Sequence, residues 1–81
     1  MRLTELARGA RAIVDHVADT HDADAVAGRL RDLGFVDGEP VRIVAVAPWG
    51  ADPILVQIGS TRFALRRAEA DRVRVRAGSA Q

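Results

Sequence analysis

Apolar and polar residues alternate with a period of two along most of the chain, as in short β-strands with one buried face. This alternation predicts strands over residues 10–17, 41–46, 54–58, 62–66 and 72–76. One stretch, residues 23–33, instead repeats its apolar positions every three to four residues, which predicts a helix between the first two strands. A single helical turn is predicted over residues 67–71, before the last strand.

The ends of the predicted helix carry recognisable signals. Val26, Leu30 and Leu33 form one apolar stripe along it. Asp22 or Asp24 can accept hydrogen bonds from the free N–H groups of its first turn. Gly34 supplies the positive φ angle that a C-terminal cap needs, so we expect the helix to end there.

Five short antiparallel strands with a helical turn before the last one describe a small SH3-like barrel. We therefore predict a mainly β (α+β) fold, an SH3-like five-stranded barrel with one α-helix between strands 1 and 2. The 81 residues are enough for one domain, expected over residues 1–76, with residues 77–81 as a flexible tail.

Composition excludes several functions. The chain has no cysteine, which rules out disulfides, thiolate metal sites and a cysteine nucleophile. No apolar run approaches the ~20 residues needed to cross a bilayer, so we expect a cytoplasmic protein without direct membrane insertion. Neither a P-loop nor a G-x-G-x-x-G sequence occurs, and no catalytic residues are expected. The formal net charge is only +1, with acidic residues early in the chain and arginines late.

One cluster has the chemistry of metal ligands. It comprises His16, Asp19, His21, Asp22 and Asp24. Imidazole and carboxylate groups suit Zn²⁺ or Fe²⁺, which makes weak binding of either ion a hypothesis. The alternative is structural: Asp22 and Asp24 are N-terminal residues of the helix, and His16 is an exposed strand residue.

Aromatic and arginine residues are the candidates for contact with a partner. Trp49 lies in a loop between Pro48 and Gly50, where it either contacts a partner or caps the barrel. Phe35 and Val36 pose the same choice between contact and core packing. Arg66 and Arg67 flank these residues and would suit an acidic patch or phosphates, unless they only form a solvated face.

Three ordered motifs resemble the ferrous iron transport protein A (FeoA) family, over roughly residues 3–76. The first is the helix–turn–strand pattern Leu30-x-x-Leu33-Gly34-x-x-x-Gly38, followed by the strand at Val41. The second is the hairpin loop Val46-Ala47-Pro48-Trp49-Gly50 with Asp52-Pro53-Ile54. The third is Arg62-Phe63-Ala64-Leu65-Arg66 with Ala68-Glu69-Ala70.

The resemblance implies a small cytosolic accessory protein of ferrous iron uptake, which binds the cytoplasmic portion of the ferrous iron permease, the membrane GTPase FeoB. It implies a regulator rather than an enzyme, with no required cofactor. Two alternatives stay open from the residues: a nucleic-acid-binding small barrel, and an oligomer bridged by metal or sensing it. We expect no nucleic acid as a partner, because the net charge is near zero and no aromatic platform accompanies the arginines. A free sheet edge or the uneven charge distribution would allow a weak homodimer.

Overall fold

A computed structural model describes residues 1–19, 24–47 and 52–78, and this part of the chain forms five strands and two α-helices. A short 3-10 helix, Leu3–Glu5, precedes them. The elements are β1 (Arg11–Val17), α1 (Ala25–Leu33), β2 (Pro40–Val46), β3 (Ile54–Ile58), β4 (Thr61–Leu65), α2 (Arg67–Ala70) and β5 (Val73–Ala77). The predicted order of elements is confirmed, and the boundaries shift by at most two residues.

All strand pairs are antiparallel, and the strands lie in the order β4-β3-β2-β1-β5. β4 and β5 are the edge strands, and the four residues of α2 connect them. Register shifts interrupt β1 between Val14 and His16, and β2 between Ile43 and Ala45. Such irregularities bend a strand, which lets a small sheet curl around its own core.

The core is formed by the inward-facing residues of all five strands together with both helices. The fully buried apolar side chains are Leu3, Ala12, Val14, Val17, Ala27, Leu30, Phe35, Val41, Ile43, Ile54, Val56, Ile58, Leu65, Ala70, Val73 and Val75. Alternation predicted most of the strand members, because successive side chains of a strand point to opposite faces. Alternate residues of β3 are buried, and in β5 Val73 and Val75 are buried, as expected.

Helix α1 begins two residues later than predicted, because Asp24 is extended and acts as its N-cap. Its carboxylate accepts from the backbone N–H groups of Val26 (3.1 Å) and Ala27 (3.2 Å). At the other end Gly34 has φ 116°, and the N–H of Phe35 donates to the carbonyl of Leu30 at 3.1 Å. The chain therefore reverses sharply at Gly34, as a left-handed C-cap requires.

Asp24 also joins α1 to the last strand. Its second carboxylate oxygen forms a short ion pair with the guanidinium of Arg72, the residue before β5. The Asp24 side chain is 1% exposed and that of Arg72 is 21% exposed. Burying a carboxylate costs free energy unless it is paired and hydrogen-bonded, so the cap and the ion pair support each other.

We expect Asp24→Ala to lower the free energy of unfolding by about 3 kcal/mol, because it removes a helix cap and leaves Arg72 without its buried partner. Asp24→Asn keeps the cap acceptor and should cost less. Urea unfolding of both variants measures this, with Asp32→Ala, an exposed aspartate of the same helix, as the control. Equal losses for Asp24→Ala and Asp32→Ala would contradict the assignment.

Glu69 ties α2 to α1. Its carboxylate accepts from the backbone N–H of Arg66 (3.0 Å) and from the guanidinium of Arg29 (2.5 Å). The hydrogen bond from the Arg66 backbone, helped by Arg29, lowers the pKa of Glu69 below its ordinary value. A lowered carboxyl pKa stabilises the fold above the unfolded-state pKa, and this stabilisation is lost as the pH falls through the folded-state pKa.

Glu69→Gln should therefore lower the free energy of unfolding by about 1 kcal/mol at neutral pH. The difference from the wild type should shrink as the medium is made acidic, because both side chains are then uncharged. Urea unfolding at neutral and acidic pH measures this. Glu39→Gln, at a carboxylate that forms no ion pair with any described residue, is the control. A pH-independent difference would refute the linkage.

Candidate protein-interaction surface

The turn between α1 and β2 is hydrogen-bonded to the middle of β1. The N–H of Gly38 donates to the carbonyl of Val14 at 2.9 Å, and the N–H of Val14 donates to the carbonyl of Glu39 at 2.8 Å. Gly38 has φ 91°, a conformation that glycine adopts without strain. This turn fixes the two residues that follow the helix cap, Phe35 and Val36.

Phe35 and Val36 point in opposite directions. Phe35 is 0% exposed, and its ring lies 6.2 Å from that of Phe63 on β4, tilted by 50°. The expectation that Phe35 contacts a partner is therefore corrected to core packing, because its side chain has no free surface. Val36 is 46% exposed and is one of few large apolar side chains at the surface of the described chain.

A shallow groove of about 180 Å³ runs beside Val36. It is lined by Asp15, His16, Val17, Arg31, Phe35, Val36 and Asp37. Its floor is apolar and its rim is charged, which is the usual composition of a protein contact surface. Sequence patterns missed Asp15, Arg31 and Asp37, because only the pairing of β1 with the turn brings them together.

Two arginines hold the rim in place. Arg31 donates to the carbonyl of Val17 (2.9 Å) and to the carboxylate of Asp19 (3.0 Å). Arg76 donates to the carboxylates of Asp37 (2.9 Å) and Asp15 (3.0 Å). The hydrogen bond to Asp37 and the charges of both carboxylates raise the pKa of Arg76 above its ordinary value. The rim charges are therefore largely neutralised within the groove.

The predicted metal ligands do not assemble in the described part of the chain. The His16 imidazole lies 3.2 Å from the carboxylate of Asp15, and Asp19 is paired with Arg31. No group of three potential ligands occurs among residues 1–19, 24–47 and 52–78. His21 and Asp22 lie outside the described residues, so the hypothesis involving them stays a prediction.

Pro48, Trp49 and Gly50 also lie outside the described residues. After them, the Asp52 carboxylate accepts from the backbone N–H of Arg67 at 2.6 Å. Arg66 is exposed and Arg67 is half-buried beside this connection. The described ends of the β2–β3 connection and the groove lie at opposite ends of β2, whose seven residues extend about 20 Å. A contact that used both would therefore be divided between the two ends of this strand.

No helix in the described residues is long and apolar enough to span a membrane. A FeoA domain model matches residues 1–77. A FeoA from Stenotrophomonas maltophilia, crystallised with zinc, is 56% identical, with a TM-score of 0.87 over 94% of this chain and 89% of that one. It is described as an SH3 domain protein and a candidate activating factor of bacterial ferrous iron transport.

Two further solved structures are similar over nearly the whole chain. The FeoA protein of Chlorobium tepidum is 38% identical, with a TM-score of 0.84 over 100% of this chain and 73% of that one. Iron(II) transport protein A of Clostridium thermocellum is 36% identical, with a TM-score of 0.80 over 95% of this chain but only 45% of that one. This chain thus spans less than half of the Clostridium chain. No curated protein matches.

Fold and surface together define a small SH3-like protein, a five-stranded antiparallel sheet with one main helix and a grooved face. The match over residues 1–77 and the 56% identity are more specific than the fold. The chain belongs to the FeoA family, whose structures link it to ferrous iron transport.

Proposed function

We propose that this chain is a cytoplasmic accessory protein of ferrous iron uptake that binds the cytoplasmic portion of the ferrous iron permease, the GTPase FeoB, and modulates transport. The observation that carries the proposal is its 56% identity to the Stenotrophomonas protein over 94% of the chain. That protein is described as a candidate activating factor. An activating factor acts through a partner, which supports a binding role rather than an enzymatic one for this chain.

The groove is the proposed primary contact. Val36 offers an exposed apolar side chain, and the paired charges on the rim reduce the cost of removing water from the groove. A partner side chain that fills the groove would cover Val36, whose side chain is the exposed apolar one there. Val36 is therefore the residue whose replacement tests the contact without disturbing the core.

The second proposed contact is the loop with Pro48, Trp49 and Gly50, together with Arg66 and Arg67. This contact is supported by the hydrogen bond from the backbone N–H of Arg67, in α2, to the carboxylate of Asp52, which precedes β3. An exposed Arg66 would favour an acidic patch on the partner. We also propose that the chain forms a weak homodimer through the same surfaces, so that self-association competes with binding to the permease.

Val36→Asp should weaken binding to the permease's cytoplasmic domain by about tenfold, because it places an unpaired charge in an apolar contact. Trp49→Ala should weaken it comparably. Calorimetric titration measures both. Ala7→Asp, at an exposed alanine in the turn before β1, is the control and should bind as the wild type does. Unchanged affinity of Val36→Asp for the domain would show that the groove is not part of the contact surface. Equal losses of affinity in Val36→Asp and Ala7→Asp would instead indicate a general effect of the added charge.

A weak metal site is the second proposal, supported by the zinc in the Stenotrophomonas relative. His21 and Asp22 would supply its ligands, with His16 and Asp19 nearby in sequence. We propose that such a metal is not required for folding. A continuous apolar core and the absence of unpaired buried polar side-chain atoms in the described residues support this.

Chelator treatment should therefore leave the thermal midpoint unchanged, whereas added Zn²⁺ should raise it only slightly. Removal of a required structural metal would instead unfold a protein of this size. Differential scanning calorimetry with and without chelator measures this. A His21→Ala variant should lose most of the Zn²⁺ response, and a variant that keeps full Zn²⁺ affinity would exclude His21 as a ligand.

A further inference from the structure

Four residues on four neighbouring strands form a row across the outer face of the sheet. Arg11 on β1 lies directly opposite Arg42 on β2, Arg42 opposite Gln57 on β3, and Gln57 opposite Arg62 on β4. Residues directly opposite one another share a face of the sheet. We call these residues, Arg11, Arg42, Gln57 and Arg62, the arginine row. It spans about 14 Å, three strand spacings.

The row faces away from the core. Val41 and Ile43, on either side of Arg42, and Val56, beside Gln57, are at most 2% exposed and point inward. Arg11 and Arg62 are exposed, and Arg42 and Gln57 are half-buried. A cavity of about 240 Å³ opens beside the row, lined by Arg11, Pro40, Val41, Arg42, Gln57 and Gly59.

The arginines of the row have no ion pair with any described residue. Several arginines elsewhere are instead paired with carboxylates, as Arg72 is with Asp24 and Arg31 with Asp19. In the row, Arg42 and Arg62 donate to the same uncharged oxygen, Oε1 of Gln57, each at 3.3 Å. The amide group of Gln57 is fixed in turn by donating to the carbonyl of Gly59 at 3.1 Å.

This arrangement brings two positive charges to one neutral acceptor. Like charges held close together repel, and an anion that binds between them removes the repulsion. Each guanidinium has five N–H donors, of which the amide engages only one, so the remaining donors are available to a ligand. Carboxylates match the planar fork of a guanidinium in size and geometry.

We propose that the arginine row binds an acidic, extended segment of a partner protein. An extended segment places residues i, i+2 and i+4 on one side over about 13 Å, which fits the length of the row. Beside the row, Leu55 lies opposite Ala64 on the same face and offers apolar contact to such a segment. The inference does not depend on the permease being the partner, because its test contains only this chain and a peptide.

The composition of this face argues against nucleic acid as its ligand. Single-stranded nucleic acids bind to basic grooves that also carry aromatic rings for base stacking. The two phenylalanines pack against each other on the other side of the sheet, and the formal net charge is only +1. No aromatic residue of the described chain therefore lies beside the row.

The test is a titration of the ¹⁵N-labelled full chain with hexaglutamate at low ionic strength, followed by NMR. We expect the shifts to centre on Arg11, Arg42, Gln57, Gly59 and Arg62. The variant Arg42→Gln/Arg62→Gln should weaken binding about fivefold or more. Arg8→Gln/Arg74→Gln removes the same charge at two exposed arginines outside the row and should change the affinity less than about twofold.

Gln57→Glu provides a second variant that keeps every arginine. Its carboxylate would neutralise Arg42 and Arg62 from within, so peptide binding should be lost while the thermal midpoint is kept or raised. The proposal is overturned if both double variants lose affinity equally, or if the shifts centre on the arginines of β5. It is also overturned if hexathymidylate binds the row more tightly than hexaglutamate.

Discussion

The buried carboxylate of Asp24 is the interaction on which the arrangement of this small protein depends. It caps α1 through two backbone N–H groups and pairs with Arg72 at the start of β5, so it fixes the only long helix of the described chain to an edge strand. The position of α1 then determines where Gly34 turns the chain. That turn places Phe35 in the core and Val36 at the surface, so the groove depends on a contact at the far end of the helix.

Two sets of arginines have different consequences. Around the helices and the groove, Arg29, Arg31 and Arg76 are paired with carboxylates, which leaves the groove rim nearly neutral. In the arginine row, Arg42 and Arg62 share only the uncharged amide of Gln57, so their charge is directed to solvent. The charge is therefore distributed unevenly over the surface, although the net charge is low. The two proposed contacts, an apolar one at Val36 and an ionic one at the row, therefore use separate surfaces.

Local patterns predicted most of the fold, because alternation in β3 and the cap residues Asp24 and Gly34 are visible within a few positions. The side-chain direction at Phe35 was not predictable, since the residue after a helix cap has no periodic neighbours. Sequence patterns did not predict the arginine row, for a different reason. Arg11 and Arg62 are 51 positions apart in the sequence, and only the registers of three strand pairs bring them into line. Family resemblance identified the function class but carried no residue-level information about these two surfaces.

The central claim is that the chain acts by binding the ferrous iron permease. The most direct test is calorimetric titration of the wild-type chain into the permease's soluble cytoplasmic domain, with and without a GTP analogue and Fe²⁺. We expect binding in the micromolar range or tighter, with an affinity that changes with nucleotide or iron if the chain regulates transport. Absence of binding in every nucleotide and iron state would contradict it.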